Sequence, residues 1–147
     1  MIQLRESTFA DIPTFVAFES ASDTSDFIIP YSAERHRLEM ENELITYLSI
    51  YDDQVLAGFI ILAVHDNDDI EFRRIVVGKK GQGIGQSAVT LMEGYCASQF
   101  GGKRVWLDVF AENERGQHIY QKLGYKIFKT GDFQSKRLLF MEKTLAV

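Results

Sequence analysis

Apolar and polar positions along this chain keep two different periods, and the places where the period changes mark out its elements. Ile2 to Glu6 alternates as a short strand. Thr8 is suited to cap a helix beginning near Ala10, with Asp11 favourable in its first turn and Pro13 tolerated there. Ile12, Phe15, Val16 and Glu19 then recur at helical spacing with one apolar side. Ser20 to Asp26 loses the pattern and reads as a surface loop. Ser32 can cap a second helix, with Glu34 in its first turn, running towards Leu44 or Ile45. Thr46 to Tyr51 and Gln54 to Val64 are rich in β-branched and aromatic residues, and Asp52-Asp53 between them makes a hairpin. Asp66 to Asp69 is a further turn, and Ile70 to Val77 a strand that runs into a glycine cluster. Ile84, Ala88, Leu91 and Tyr95 return to helical spacing as far as Gly101-Gly102. Lys103 to Phe110 is a strand, Glu114 to Leu123 a helix stopped by Gly124, and the strands Tyr125 to Lys129 and Lys136 to Lys143 flank a turn at Gly131-Asp132.

The order β-α-α-β-β-β-α-β-α-β-β has one strand–helix–strand crossover in the middle, hence one parallel pair, with antiparallel hairpins on either side. The expected fold is an α/β single domain over residues 1–147, with a mixed, mostly antiparallel sheet, a central parallel strand pair and helices on both faces.

Composition narrows the function classes. Hydrophobic residues make up 46% and charged residues 25% of the chain, as in an ordinary globular protein. A net charge of −5 without a basic stripe speaks against nucleic-acid binding and suits a cationic partner. No apolar run approaches the roughly 20 residues that span a bilayer, and the first residues lack a signal-peptide pattern. A single cysteine, Cys96, permits no intrachain disulfide, and a soluble cytoplasmic protein is expected. Cys96 lies on the apolar side of its helix, so core packing suits it better than a nucleophile's role. His36, His65 and His118 are scattered without metal-ligand spacing, each suited to a surface or capping role, and no metal is expected.

The run Val76 to Gln86 contains Gly78, Gly81, Gly83 and Gly85 where a strand ends and a helix begins. Free N–H groups at a helix start favour an anion, and glycine lets backbone approach it closely. Lys79 and Lys80 add charge beside them. A P-loop would need Lys-Ser or Lys-Thr after Gly83, where Ile84-Gly85 stands. A dinucleotide fingerprint would need glycine where Gln86 stands.

Lys80-Gly81-Gln82-Gly83-Ile84-Gly85 resembles the acyl-CoA signature of the GCN5-related N-acetyltransferase (GNAT) family, with Lys80 where Arg or Gln is usual. Leu4 to Pro13 resembles that family's opening strand and helix, and Ala57-Gly58-Phe59 its third strand. Asn113 with Ile119-Tyr120-Gln121-Lys122-Leu123-Gly124-Tyr125 resembles its second signature. The resemblance implies acetyl transfer from acetyl-CoA, as co-substrate, to an amine on a small molecule or a peptide, by direct attack. The alternative is a non-catalytic acyl-CoA-binding or sensing domain. It also allows a homodimer.

Carried over residue by residue, the resemblance gives the pantetheine arm to the backbone of Ile75, Val76 and Val77. The pyrophosphate goes to Lys80, Gly81, Gln82, Gly83, Ile84, Gly85 and Gln86. Asn113 either contacts the pantetheine or caps the helix after it, or both. Tyr120 matches the acid that serves the leaving thiolate, against the plainer role of a packed aromatic. Asp108 and Glu71 are candidate bases, each equally readable as an ion-paired strand residue, and a water chain is the third option. Residues 20–37 border the expected acceptor pocket, with Phe27, Ile28, Ile29, Pro30 and Tyr31 as an apolar wall and Asp23, Asp26 and Glu34 as attractants for a cation.

Overall fold

The computed structural model describes residues 1–21, 28–66, 68–78 and 83–145. Its strands are β1 (Ile2–Glu6), β2 (Ile45–Asp52), β3 (Val55–Asp66), β4 (Asp69–Val77), β5 (Arg104–Phe110), β6 (Lys126–Phe133) and β7 (Lys136–Thr144). Its α-helices are α1 (Ile12–Glu19), α2 (Ala33–Glu41), α3 (Ile84–Phe100) and α4 (Glu114–Lys122). The strands form one seven-stranded sheet in the order β1-β2-β3-β4-β5-β7-β6. Among the described residues only β4 and β5 run parallel, joined through α3 as the crossover requires. Among the described residues no helix is long and apolar enough to cross a membrane.

Strand alternation sends side chains to two cores. Leu48, Ile50, Ile60, Leu62 and Ile70 meet Ile84, Ala88, Val89 and Met92 of α3 on one face. Ile45, Tyr47, Phe59, Ile61 and Ala63 meet Phe15 of α1 on the other. β3 is therefore buried on both faces, which explains its unbroken apolar run. Each such side chain is worth about 1.5–3 kcal/mol when fully buried.

Several boundaries differ from the sequence reading. α2 stops at Glu41, not at Leu44 or Ile45, because Asn42 leaves helical geometry and its Oδ1 accepts the Leu44 N–H at 2.9 Å. The last hairpin turns at Gln134-Ser135, with φ of 50° and 66°, not at Gly131-Asp132. Gly131 lies inside β6, where a Cβ would stand 3.1 Å from the Phe140 ring. The β2–β3 hairpin likewise turns on positive φ, at Asp53 (48°) and Gln54 (74°), one residue later than the expected Asp52-Asp53, because Asp52 still pairs with Val55.

Candidate active site

The parallel pairing of β4 with β5 lasts for Asp69, Ile70 and Glu71 against Arg104, Val105 and Trp106, and then ends. On its other side β4 stays paired with β3 up to Val77. The rest of β4 thus presents backbone N–H and C=O groups to a gap that no strand among the described residues fills. A cavity of about 520 Å³ opens there, with walls from β4, β5, α4, β7 and residues 28–35. Ile75 lines it, as the sequence reading requires, while the Val76 side chain is buried in the second core.

Asp108 and Tyr120 both line this cavity. Tyr120 stands on α4 with its ring edge-on to Phe72 and Tyr125. Burial pushes its phenol up to about 12, with the Asp108 charge adding to the rise. Asp108 is open to solvent through the cavity mouth. The surrounding walls still strip part of its hydration and raise its carboxyl pKa, Glu71 adding to the rise and Arg73 opposing it. Glu71 is held differently. Arg73 donates to both of its oxygens, at 3.0 and 3.1 Å, and Glu71 does not line the cavity. The structure therefore separates the two candidate bases: Asp108 faces the gap, and Glu71 is engaged beside it.

Asn113 caps α4, its Oδ1 accepting the Gly116 N–H at 2.9 Å, and it also lines the cavity. Gly116 makes this fit, since a Cβ there would come within 2.7 Å of the Asn113 side chain. Gly58 brings β3 and β4 together, for a Cβ there would lie 2.3 Å from the Val76 carbonyl oxygen. At the expected pyrophosphate end, Gly83 has φ of 71° and precedes Ile84, Gly85 and Gln86, which open the 17-residue helix α3. Their N–H groups belong to the first turn, where an anion is favoured. Lys80, Gly81 and Gln82 lie outside the described residues, as do Lys79 and residues 22–27, including Asp23, Asp26 and Phe27.

The wall from residues 28–35 carries three of the apolar residues named from the sequence, without Pro30, and adds Arg35, which was not singled out. Ile28, Ile29, Tyr31 and Arg35 line the cavity, whereas Glu34 does not. Behind them sits a buried polar cluster. His36 is fully buried, not at the surface: its Nε2 lies 2.5 Å from Glu19 Oε1 and its Nδ1 2.7 Å from the Tyr47 hydroxyl. Glu19, also fully buried, accepts from Arg74 Nη1 and from the Tyr31 N–H at 3.2 Å. Arg74 Nη2 donates to the Ile29 carbonyl at 2.8 Å. Phe133 and Leu138, which also line the cavity, were missed. Cys96 is buried in the main core, where burial lifts its thiol to about 12.

The profile of the acetyltransferase (GNAT) family matches residues 12–125. An uncharacterized N-acetyltransferase of Mycobacterium tuberculosis is 31% identical over 88 residues, 59% of this chain and 56% of that protein. The match thus spans little more than half of the relative's length. Spermidine N-acetyltransferase of Vibrio cholerae, solved with CoA and spermine, superposes with a TM-score of 0.84 at 15% identity, covering 98% of this chain and 95% of that one. The ribosomal-protein-S18-alanine N-acetyltransferase of Escherichia coli gives 0.81 at 17% identity, covering 100% and 96%. At these identities the two structures speak for the fold.

Proposed function

Since the chain belongs to the GNAT family of acetyltransferases, we propose that it transfers acetyl from acetyl-CoA to a primary amine, on a small molecule or at a peptide α-amine, by direct attack with both substrates bound. The observation that carries this reading is the break in the sheet: pairing of β4 with β5 stops after Glu71, and the cavity that follows is lined by both Asp108 and Tyr120. Bare β4 backbone at Ile75 to Val77 suits the amide-bearing pantetheine arm, which would lie along it as an extra strand. The start of α3, with Gly83 and Gly85, suits the pyrophosphate.

An aliphatic ammonium has a pKa of about 10, so the acceptor must lose a proton before it attacks. Asp108 is the group placed to take it, its raised pKa making it a better base than an ordinary aspartate. The amine nitrogen then bonds to the thioester carbon, and the carbon–sulfur bond breaks. A strand N–H steadies the charge on the carbonyl oxygen. At about 12 the Tyr120 phenol keeps its proton at neutral pH. A free thiol is the stronger acid, at about 8.5. Tyr120 therefore acts as a hydrogen-bond donor to the departing sulfur. Nitrogen gives up two protons, one before attack and one as the adduct collapses; one ends on the thiolate and the other in water. A lone reduced Cys96 suits the cytosol as the place of this reaction. A domain that only sensed acyl-CoA would have no use for this hydrogen-bond donor and base in the wall.

Incubation with acetyl-CoA and a panel of amines and peptides, read by mass spectrometry, should show one class gaining an acetyl group with release of free CoA thiol. Titration calorimetry without heat for CoA or acetyl-CoA, on natively folded protein, would refute the reading.

A further inference from the structure

The polar cluster behind the acceptor wall has a structural oddity that its stability cannot explain. Glu19 and His36 are fully buried, and the Arg74 side chain is only 9% exposed, among the aromatic rings of Phe15, Tyr47 and Phe59. A buried ion pair is often no more stabilising than apolar packing of the same volume, because both charges lose their hydration. What this pair does accomplish is local. Residues 28–31 have no helix or strand of their own, so their backbone groups need partners from elsewhere. Glu19 accepts the Tyr31 N–H, and Arg74 donates to the Ile29 carbonyl while its guanidinium lies 4.0 Å from the Tyr31 ring centre. His36 and Tyr47 hold the carboxylate from behind: with Nε2–H donating to Glu19 and the Tyr47 hydroxyl donating to Nδ1, every partner is satisfied.

We infer that Glu19 and Arg74 are positioning residues that pin the Ile28–Tyr31 segment and so set the shape of the acceptor side of the cavity. This rests on the acetyl-transfer reading for its consequence, though the pin itself does not. Arg74 joins β4, the strand proposed to hold the thioester, to the wall proposed to hold the amine, so one guanidinium sets the spacing between the two.

Arg74→Lys tests this, because it keeps a cation opposite Glu19 but lacks the second arm that reaches Ile29. Amide hydrogen exchange decides the claim without an acceptor in hand. The Tyr31 amide should exchange about tenfold faster or more, the loss expected for one charge-assisted hydrogen bond. The amides of β2 and β3, and the affinity for coenzyme A, should stay within about twofold of wild type. Glu19→Gln, which keeps an oxygen for the Tyr31 N–H but removes the charge opposite Arg74, should speed the same amide in the same direction if Arg74→Lys folds poorly. With an amine found in the acetylation screen, the acceptor KM should rise about tenfold while kcat and the acetyl-CoA KM hold. An unchanged Tyr31 amide, or faster exchange spread through β2 and β3, would overturn the inference. Failure of the wild type to bind coenzyme A would instead remove the acetyl-transfer reading and leave the exchange comparison standing.

Discussion

Ionised Asp108 gives up part of its hydration to the cavity walls, and this sets both its chemistry and its cost. As the proposed base it must be deprotonated, so activity should rise with pH through a midpoint above the ordinary aspartate value of about 3.9. Asp108→Asn should abolish that limb and lower kcat about 10²-fold, measured by thiol release across pH. Stability should move the other way. The folded chain holds the Asp108 proton to higher pH than the unfolded chain does. The stabilisation from that proton is complete below about pH 3.9 and is lost as pH rises through the folded pKa. Asp108→Asn should therefore melt higher than wild type at neutral pH, the gain vanishing in acid, as thermal unfolding at several pH values would show. Glu71→Gln should cost far less activity, since Arg73 already occupies that carboxylate. Tyr120→Phe should reduce kcat about 10²-fold and leave the acetyl-CoA KM alone, because the proposed hydrogen bond to sulfur would strengthen only as the thiolate forms. These residues were legible because they sit in a signature or on its neighbouring strand. Glu19 and Arg74 were not, although Glu19 on the apolar stripe of α1 was a signal that a buried partner existed. Spacing cannot show that the partner is His36 on one element and Arg74 on another.

At the level of elements, α4 owes its start to Asn113, and α4 carries Tyr120. Asn113→Ala should cost about 1 kcal/mol of stability. It should also lower kcat, because the Tyr120 ring is aimed by that helix. Gly116→Ala should mimic it, the new methyl pushing the capping side chain away. Gly58→Ala, with its Cβ meeting the Val76 carbonyl, should cost about 1–3 kcal/mol or more by overpacking, and should weaken coenzyme A binding by displacing β4. Denaturant melts and calorimetry would check all three. The element order and the single parallel pair follow directly from the hydrophobic periods. The last hairpin did not, because glycine is the usual turn signal and here Gln134-Ser135 takes positive φ while Gly131 makes room for Phe140. Where β4 and β5 part company is likewise invisible in sequence, since an unpaired strand looks like a paired one.

For the molecule as a whole, a ligand that bridges the gap should raise the melting temperature in proportion to its occupancy. Coenzyme A at about 100 times its Kd should add about 2.7 kcal/mol, several degrees for a chain of this size. The gap also divides the architecture. Strands β1 to β4 and the trio β5, β7 and β6 pair directly at only three described positions, the rest of their contact being side-chain packing in the core they share under α3. Such a sheet is stitched at one end like an open book at its spine. Its two covers should loosen as separate cooperative units in native-state exchange, each with its own opening free energy. A nucleotide laid along the gutter would bind the pages together, merging the two openings into one.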